Sequence, residues 1–259
     1  MPEAIAVPAF ADNYIWLLPD NGQRHVAVVD PGDAEPVIAA CERLGATPNA
    51  ILITHRHRDH VGGIEQLKAR YPGLKVYGPA HEPIPAIDVR LRDGDVVKLA
   101  EQGLRFTVWE VPGHTEGHIV YVGEGALFCG DTLFGAGCGR VFTGDHVAMH
   151  ASLARLRELP GDTAVYCAHE YTLDNIGFAK WVEPDNLALL QRERDSQAAI
   201  DADRATVPST IALERATNPF LRFDVPGVRA MAARHADAAP VDDAEVFRAL
   251  REWKDREYD

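Results

Sequence analysis

Residues 51–63, "ILITHRHRDHVGG", place three imidazoles and a carboxylate (His55, His57, Asp59, His60) within six residues, directly after a run of strand formers. A polar loop entering a helix, with Asp59 as its N-cap, would account for one of these residues. No capping or packing rule asks for histidine at 55, 57 and 60 as well. On an extended segment His55 and His57, two apart, turn the same way, while Asp59 and His60 fall on the turn into a helix. The spacing points to half of a metal site, and the chain must fold so as to supply the other half.

Three further segments qualify. His114 follows "VWEVPG", Asp131 follows "ALFCG" and His169 follows "AVYCA". Four expected strands thus each lead into a potential ligand, and a shared strand-end edge would gather all seven groups. Five imidazoles and two carboxylates without a thiolate suit Zn²⁺, with Fe and Mn as alternatives. Seven side chains exceed one tetrahedral ion. If Asp131 bridges, His55, His57 and His114 serve one ion, and Asp59, His60 and His169 the second. His118 opens the next strand, a position for support of the site rather than ligation. His25, His81, His146, His150 and His235 lack patterned partners and read as surface or structural.

The expected fold class is α/β. Up to about Tyr171, short strand-like runs ("NYIWLLP", "HVAVVDPG", "AILITH", "LKVYGP", "LRFTVWEVPGH", "HIVYVGEGALFCGD", "AVYCAHE") alternate with helical patterns at "AEPVIAACERLGA", "HVGGIEQLKARYPG" and "HASLARLRELPG". After Tyr171 strand signals stop, and "DNLALLQRERDSQAAIDADR", "STIALERATN" and "DDAEVFRALREWKDRE" read as helices. This predicts a mixed domain over 1–172 and a smaller all-helical domain over 173–259. The glycine-rich "FGAGCGRVFTG" lacks the spacing of a dinucleotide cradle.

Composition excludes several classes. A formal charge of −13 disfavours nucleic acid and anionic membranes, and an anionic substrate would need a local cationic pair. No apolar stretch approaches the length of a membrane span. The N-terminal "MPEAIAVPAFADNYIWLL" has no basic region before an apolar one, so a cytoplasmic protein is expected. Four scattered cysteines form no CxxC pair, and disulfides are not expected.

"THRHRDH", with "PGHTEGH", "CGDTLF" and "CAHEYT", resembles the signature of the metallo-β-lactamase fold, an αββα sandwich. "DNYIWLL", "GAGCGR", "AHEYTLDN", "NPFLR" and "REWKD" extend the resemblance along nearly the whole chain to the glyoxalase II, or hydroxyacylglutathione hydrolase, family. That family adds a helical C-terminal domain. The resemblance implies two divalent ions, held as above, and hydrolysis of S-D-lactoylglutathione to glutathione and D-lactate, the second step of methylglyoxal detoxification. A bridging hydroxide is the implied nucleophile, oriented by Asp59. It also implies glutathione contacts at Arg140, Tyr171, Arg251 and Lys254, with Phe142 standing where the family has a tyrosine. From the residues alone, Arg251 and Lys254 would be solvated charges on one helix face, paired with Asp255 or Glu257.

A glutathione thiolate leaves without much help from an acid, since a free thiol has a pKa of about 8.5. That favours a thioester or lactone over a peptide. Within the fold, a β-lactamase would carry an export signal, a tRNA-processing nuclease a basic surface, and a flavodiiron module Glu in place of His57. A persulfide dioxygenase would not use Asp59, His60 and His169 as a set. A purely structural metal module would favour cysteine-rich closed sites. The expected partner is a small glutathione thioester, and the expected state a monomer.

Overall fold

The computed structural model describes residues 4–22, 24–236 and 239–258, so the first three residues of the expected catalytic domain and the last of the helical domain lie outside the described residues. The chain divides into two compact units, Met1–Glu110 with Thr115–Gly130, and Val111–His114 with Asp131–Asp259.

In the first unit, β1 (Ile5–Ala9), β2 (Asn13–Pro19), β3 (His25–Val29), β4 (Thr47–Leu52), β5 (Lys75–Pro79) and β6 (Val89–Leu91) form one sheet in chain order. The β1-β2-β3 pairs are antiparallel and the β3-β4-β5-β6 pairs parallel. "HVAVV" is buried along β3 from Val26 to Val29, the unbroken apolar run expected where both faces of a parallel sheet are covered.

Helices α1 (Ala34–Leu44) and α3 (Ile64–Arg70) contribute Val37, Cys41, Ile64 and Leu67 to a core with Val26, Val28, Ile51 and Val76. Helix α1 opens on Asp33, whose side chain accepts the Glu35 amide, and closes on Gly45 at φ 65°. The helix expected across 60–73 is broken instead. α2 (Arg58–Val61) stops, and α3 starts beyond Gly62 and Gly63. There the backbone of the 31–33 loop lies against the turn: Gly63 N donates to Pro31 O (2.9 Å), and a Cβ on Gly62 would lie 2.5 Å from Gly32 O.

Strands β7 (Val96–Leu99), β8 (Leu104–Glu110), β9 (Ile119–Gly123) and β10 (Ala126–Gly130) run as an antiparallel meander. Glu124 (φ 53°) and Gly125 (φ 73°) make the tight β9–β10 turn. Tyr121 bonds this meander to the first sheet by donating its hydroxyl to Ile53 O (2.8 Å), and burial pushes that phenol well up. Strand β4 and strands β8 and β10 therefore belong to different sheets, and the expected single shared edge is not formed.

The second unit opens with a short hairpin, β11 (Leu133–Phe134) and β12 (Gly137–Cys138), followed by α4 (His146–Arg157) and β13 (Ala164–Cys167). Helices α5 (Thr172–Val182) and α6 (Leu187–Ile200) come next. β14 (Ser209–Thr210) pairs with β13, so a strand does form after Tyr171, though two residues are too few to show a period. Then come α7 (Ile211–Thr217), a 3₁₀ turn at Pro219–Leu221, α8 (Pro226–His235) and α9 (Asp243–Glu257).

The three expected helices are α6, α7 and α9; α5 and α8 are additional. In α5, Thr172, Asn175, Ile176, Phe178, Ala179 and Val182 are all buried, so two polar residues interrupt the apolar stripe that would reveal the helix. Pro226 sits at the first turn of α8, where proline starts a helix rather than stops one. Phe178, Phe220, Phe247 and Trp253 pack ring to ring in this unit. Among the described residues no helix is long and apolar enough to cross a membrane.

Candidate metal centre

In the first unit the donors sit where β4 leaves its sheet. His55 and His60 are fully buried, and His57 and Asp59 partly so. Asp59 is not the N-cap of α2; that position falls to His57, which makes no side-chain capping bond. His55 Nε2 lies 3.0 Å from His57 Nδ1, and His60 Nε2 lies 3.4 Å from Asp59 Oδ2.

Asp30, at the end of β3, organises this half from beneath. It accepts the Thr54 amide (2.8 Å) and hydroxyl (2.7 Å) and faces His60 Nδ1 at 3.1 Å. A carboxylate can only accept, so the His60 proton sits on Nδ1 and the Nε2 lone pair is left for a metal. Thr54 spends its one proton on Asp30, so at 3.1 Å from His55 Nδ1 its oxygen accepts. That leaves His55 Nε2 as a ligand atom too. Asn13 Nδ2 donates to Asp59 Oδ2 (3.0 Å) and fixes the half-buried carboxylate.

Other groups frame these. His118 stacks on His55 (4.7 Å, 19°), and Ile119 N donates to Thr54 O (2.9 Å). Between the paired histidines, Arg56 donates to Glu116 (2.8 Å) and to buried Glu82 (3.2 Å), bonds that hold its pKa up. Asp30, Thr54 and Asn13 were not read from the sequence. Asp30 carried the same signal as the ligands, since it too follows a strand, but "DPG" reads as a turn. Its φ of 51° is a second mark of a special position.

In the second unit Asp131 stands between two imidazoles. Its Oδ2 is 3.5 Å from His114 Nε2 and its Oδ1 3.4 Å from His169 Nε2, the disposition a bridging carboxylate needs. His114 Nδ1 donates to Arg140 O (2.8 Å), which again leaves Nε2 for a metal. Tyr171 stacks on His169 (4.7 Å, 11°) and Phe134 packs edge-on against both.

The donor set fits divalent ions. Ligands about 2.0–2.1 Å from a tetrahedral ion stand roughly 3.3 Å apart, and the four pairs within the units are 3.0, 3.4, 3.5 and 3.4 Å. Thiolates do not compete. All four cysteines are buried and outside any disulfide, and burial pushes Cys41 and Cys138 up to about 11 and Cys167 up to about 12.

The residues expected to hold an anionic substrate are less uniform. Arg251 and Lys254 are 1% and 4% exposed, so the solvated reading of these charges fails: both lie on the buried face of α9. Arg251 does bond Asp255 (2.7 Å), and its Nη1 donates to Cys138 O (3.1 Å). The Lys254 ammonium is 3.9 Å from Asp174 and 5.3 Å from the Tyr258 ring. Arg140 is about half exposed, 3.9 Å from Asp255. Phe142 is 64% exposed, its ring 5.2 Å from that of His114.

Residues 12–169 match the family model of the metallo-beta-lactamase superfamily, and residues 170–257 the model described as hydroxyacylglutathione hydrolase C-terminus. The hydroxyacylglutathione hydrolase of Alkalilimnicola ehrlichii is 53% identical over 99% of this chain and all of its own length. That of Photobacterium profundum is 52% identical over 96% and 97%. Among solved structures, ETHE1 from Myxococcus xanthus matches with a TM-score of 0.67 at 22% identity, over all of this chain and 93% of its own. TTHA1623 in a di-iron-bound form matches at 0.58 and 26%, over 85% and 100%.

Proposed function

We propose that this chain, which belongs to the hydroxyacylglutathione hydrolase family of the metallo-β-lactamase superfamily, hydrolyses the thioester of S-D-lactoylglutathione to glutathione and D-lactate. The observation that carries the reading is the donor geometry: paired ligand atoms in each unit at the spacing a divalent ion imposes, with second-layer bonds that point the lone pairs of His55, His60 and His114 outward.

His55, His57, His114 and Asp131 would hold one ion, and Asp59, His60 and His169 the other, with Asp131 shared between the two. Two ions bound there supply a water acidic enough to attack at neutral pH and a Lewis acid for the developing oxyanion. Zinc suits this set, and the di-iron form of TTHA1623 makes iron the first alternative, with manganese next. Asp59, anchored by Asn13, orients the attacking water. The leaving thiolate needs no proton, which suits a site whose imidazoles are committed as ligands.

Residues 1–172 carry the chemistry, and 173–259 form the helical domain that holds glutathione. Lys254 supplies a charge for its carboxylates, with Arg140, Arg251 and the Tyr171 hydroxyl as further contacts. The protein works as a monomer in the cytoplasm, where buried cysteines outside any disulfide and a glutathione substrate both suit reducing conditions.

The test compares S-D-lactoylglutathione with the lactoyl thioester of N-acetylcysteamine, which keeps the reacting bond and drops the peptide. The glutathione thioester should be favoured in kcat/KM by about 100-fold or more, and Lys254→Ala should raise its KM about tenfold with kcat nearly unchanged. Equal turnover of the two thioesters would overturn the glutathione assignment.

A further inference from the structure

The second unit holds a buried polar network that the reaction described above leaves without a role. Glu214, in α7, has no exposed surface, and four donors converge on its carboxylate. Arg192 Nη2 (2.6 Å) and the Ser209 hydroxyl reach Oε1. The Ala136 amide (2.9 Å) and Asn218 Nδ2 (3.0 Å) reach Oε2. Asn218, the first residue of "NPFLR", is equally buried, and its amide also donates to Gly137 O (2.9 Å) and Phe134 O (3.3 Å). Asn175 Nδ2 holds Gly135 O (3.1 Å).

What these groups hold is the tip of the β11–β12 hairpin. Ala136 there has a φ of 56°, a left-handed conformation that an L side chain adopts at a cost and keeps only where its surroundings over-determine it. The bond from its amide to Glu214 is one such restraint.

The hairpin is tied to each metal donor of its unit. Asp131 stands two residues before β11. Arg140, whose carbonyl takes the His114 Nδ1 proton, stands two residues after β12. A Cβ on Gly139 would lie 2.0 Å from Asp131 O and 2.9 Å from His114 Nδ1, so the returning strand lies directly against both. Phe134 packs its ring 5.8 Å from that of His169.

We propose that Glu214 and Asn218 are positioning residues for the metal donors, fixing the hairpin tip so that Asp131, His114 and His169 keep their mutual spacing. This rests on reading those three residues as ligands. It gives the buried face of α7 and the 3₁₀ turn a part in the site without contact with substrate.

The test uses the full chain loaded with Zn²⁺. Glu214→Gln leaves buried Arg192 facing an amide and can fail to fold. Asn218→Ser spares the Arg192–Glu214 pair and keeps a capping oxygen for Phe220 N, but its hydroxyl is too short to reach Gly137 O. With its circular dichroism unchanged, Asn218→Ser should show amide exchange at Leu133–Cys138 about tenfold faster, less bound zinc per chain after dialysis, and kcat about tenfold lower with KM within about twofold. Wild-type zinc content and kcat beside faster hairpin exchange would show a merely structural network and overturn the proposal, as would unchanged exchange. A wild type that binds zinc yet leaves S-D-lactoylglutathione intact would sink the substrate reading alone, because zinc content and exchange still decide this one.

Discussion

Asp30 ties the first half-site together, since it accepts hydrogen bonds from Thr54 and His60 at once. Asp30→Asn replaces one accepting oxygen with a donor, so a ring nitrogen or the threonine must turn. Metal affinity should fall by about 10–100-fold, the usual effect of losing such a partner, as read by competition with a chromogenic chelator; unchanged affinity would show that Asp30 serves only the fold. His150 provides a test away from the metals. Burial lowers its pKa below the ordinary histidine value, partly offset by Asp243 and Asp242. The unfolded chain then binds a proton more readily than the native one as pH falls through the mid-6 region. Stability from this group is present above that range and lost below it. His150→Phe, placed between Phe223 and Phe247, should flatten the fall in Tm between neutral and mildly acid pH, and an unaltered slope would contradict this. At this scale the sequence was most legible for residues with redundant signals. The ligands combine an unusual type with a position after a strand, whereas Glu214 in "ALERAT" looks like any surface glutamate on a helix until its four donors are seen.

At the scale of elements, the half-site depends on how closely backbones approach. A Cβ on Gly32 would lie 1.8 Å from Asp59 O, so the loop after β3 touches α2 main chain to main chain. Gly32→Ala should push α2 away and take Asp59 and His60 with it. A loss of about 1–3 kcal/mol or more is the scale of such overpacking. Thermal melting should show it, with metal content falling in parallel; a folded, fully metallated Gly32→Ala protein would contradict it. Periodicity made α1, α4 and α9 legible because each has one buried face. It failed for α5, whose buried face includes Thr172 and Asn175 while Trp181 stands exposed, and for α2 and α3, where tertiary contact with the 31–33 loop divides one helical pattern in two. Strands β11, β12 and β14 are two residues each and have no period to read.

For the whole molecule, a charge of −13 makes local cations decisive for any anionic substrate. Arg251 and Lys254 share a helix face, as their spacing implied, but that face is buried, a fact that depends on the packing of distant segments. The proposed ligands were therefore easier to read than the proposed handle: type and spacing mark the histidines and aspartates locally, whereas the burial of Arg251 and Lys254 has no local mark. The proposed hydrolysis requires two divalent ions per chain. The most direct test removes all metal, returns Zn²⁺ in measured equivalents, and follows S-D-lactoylglutathione hydrolysis against bound zinc in the same sample. Turnover should be absent from the metal-free protein and reach its plateau at about two ions per chain; a plateau at one ion, or turnover without metal, would contradict the account.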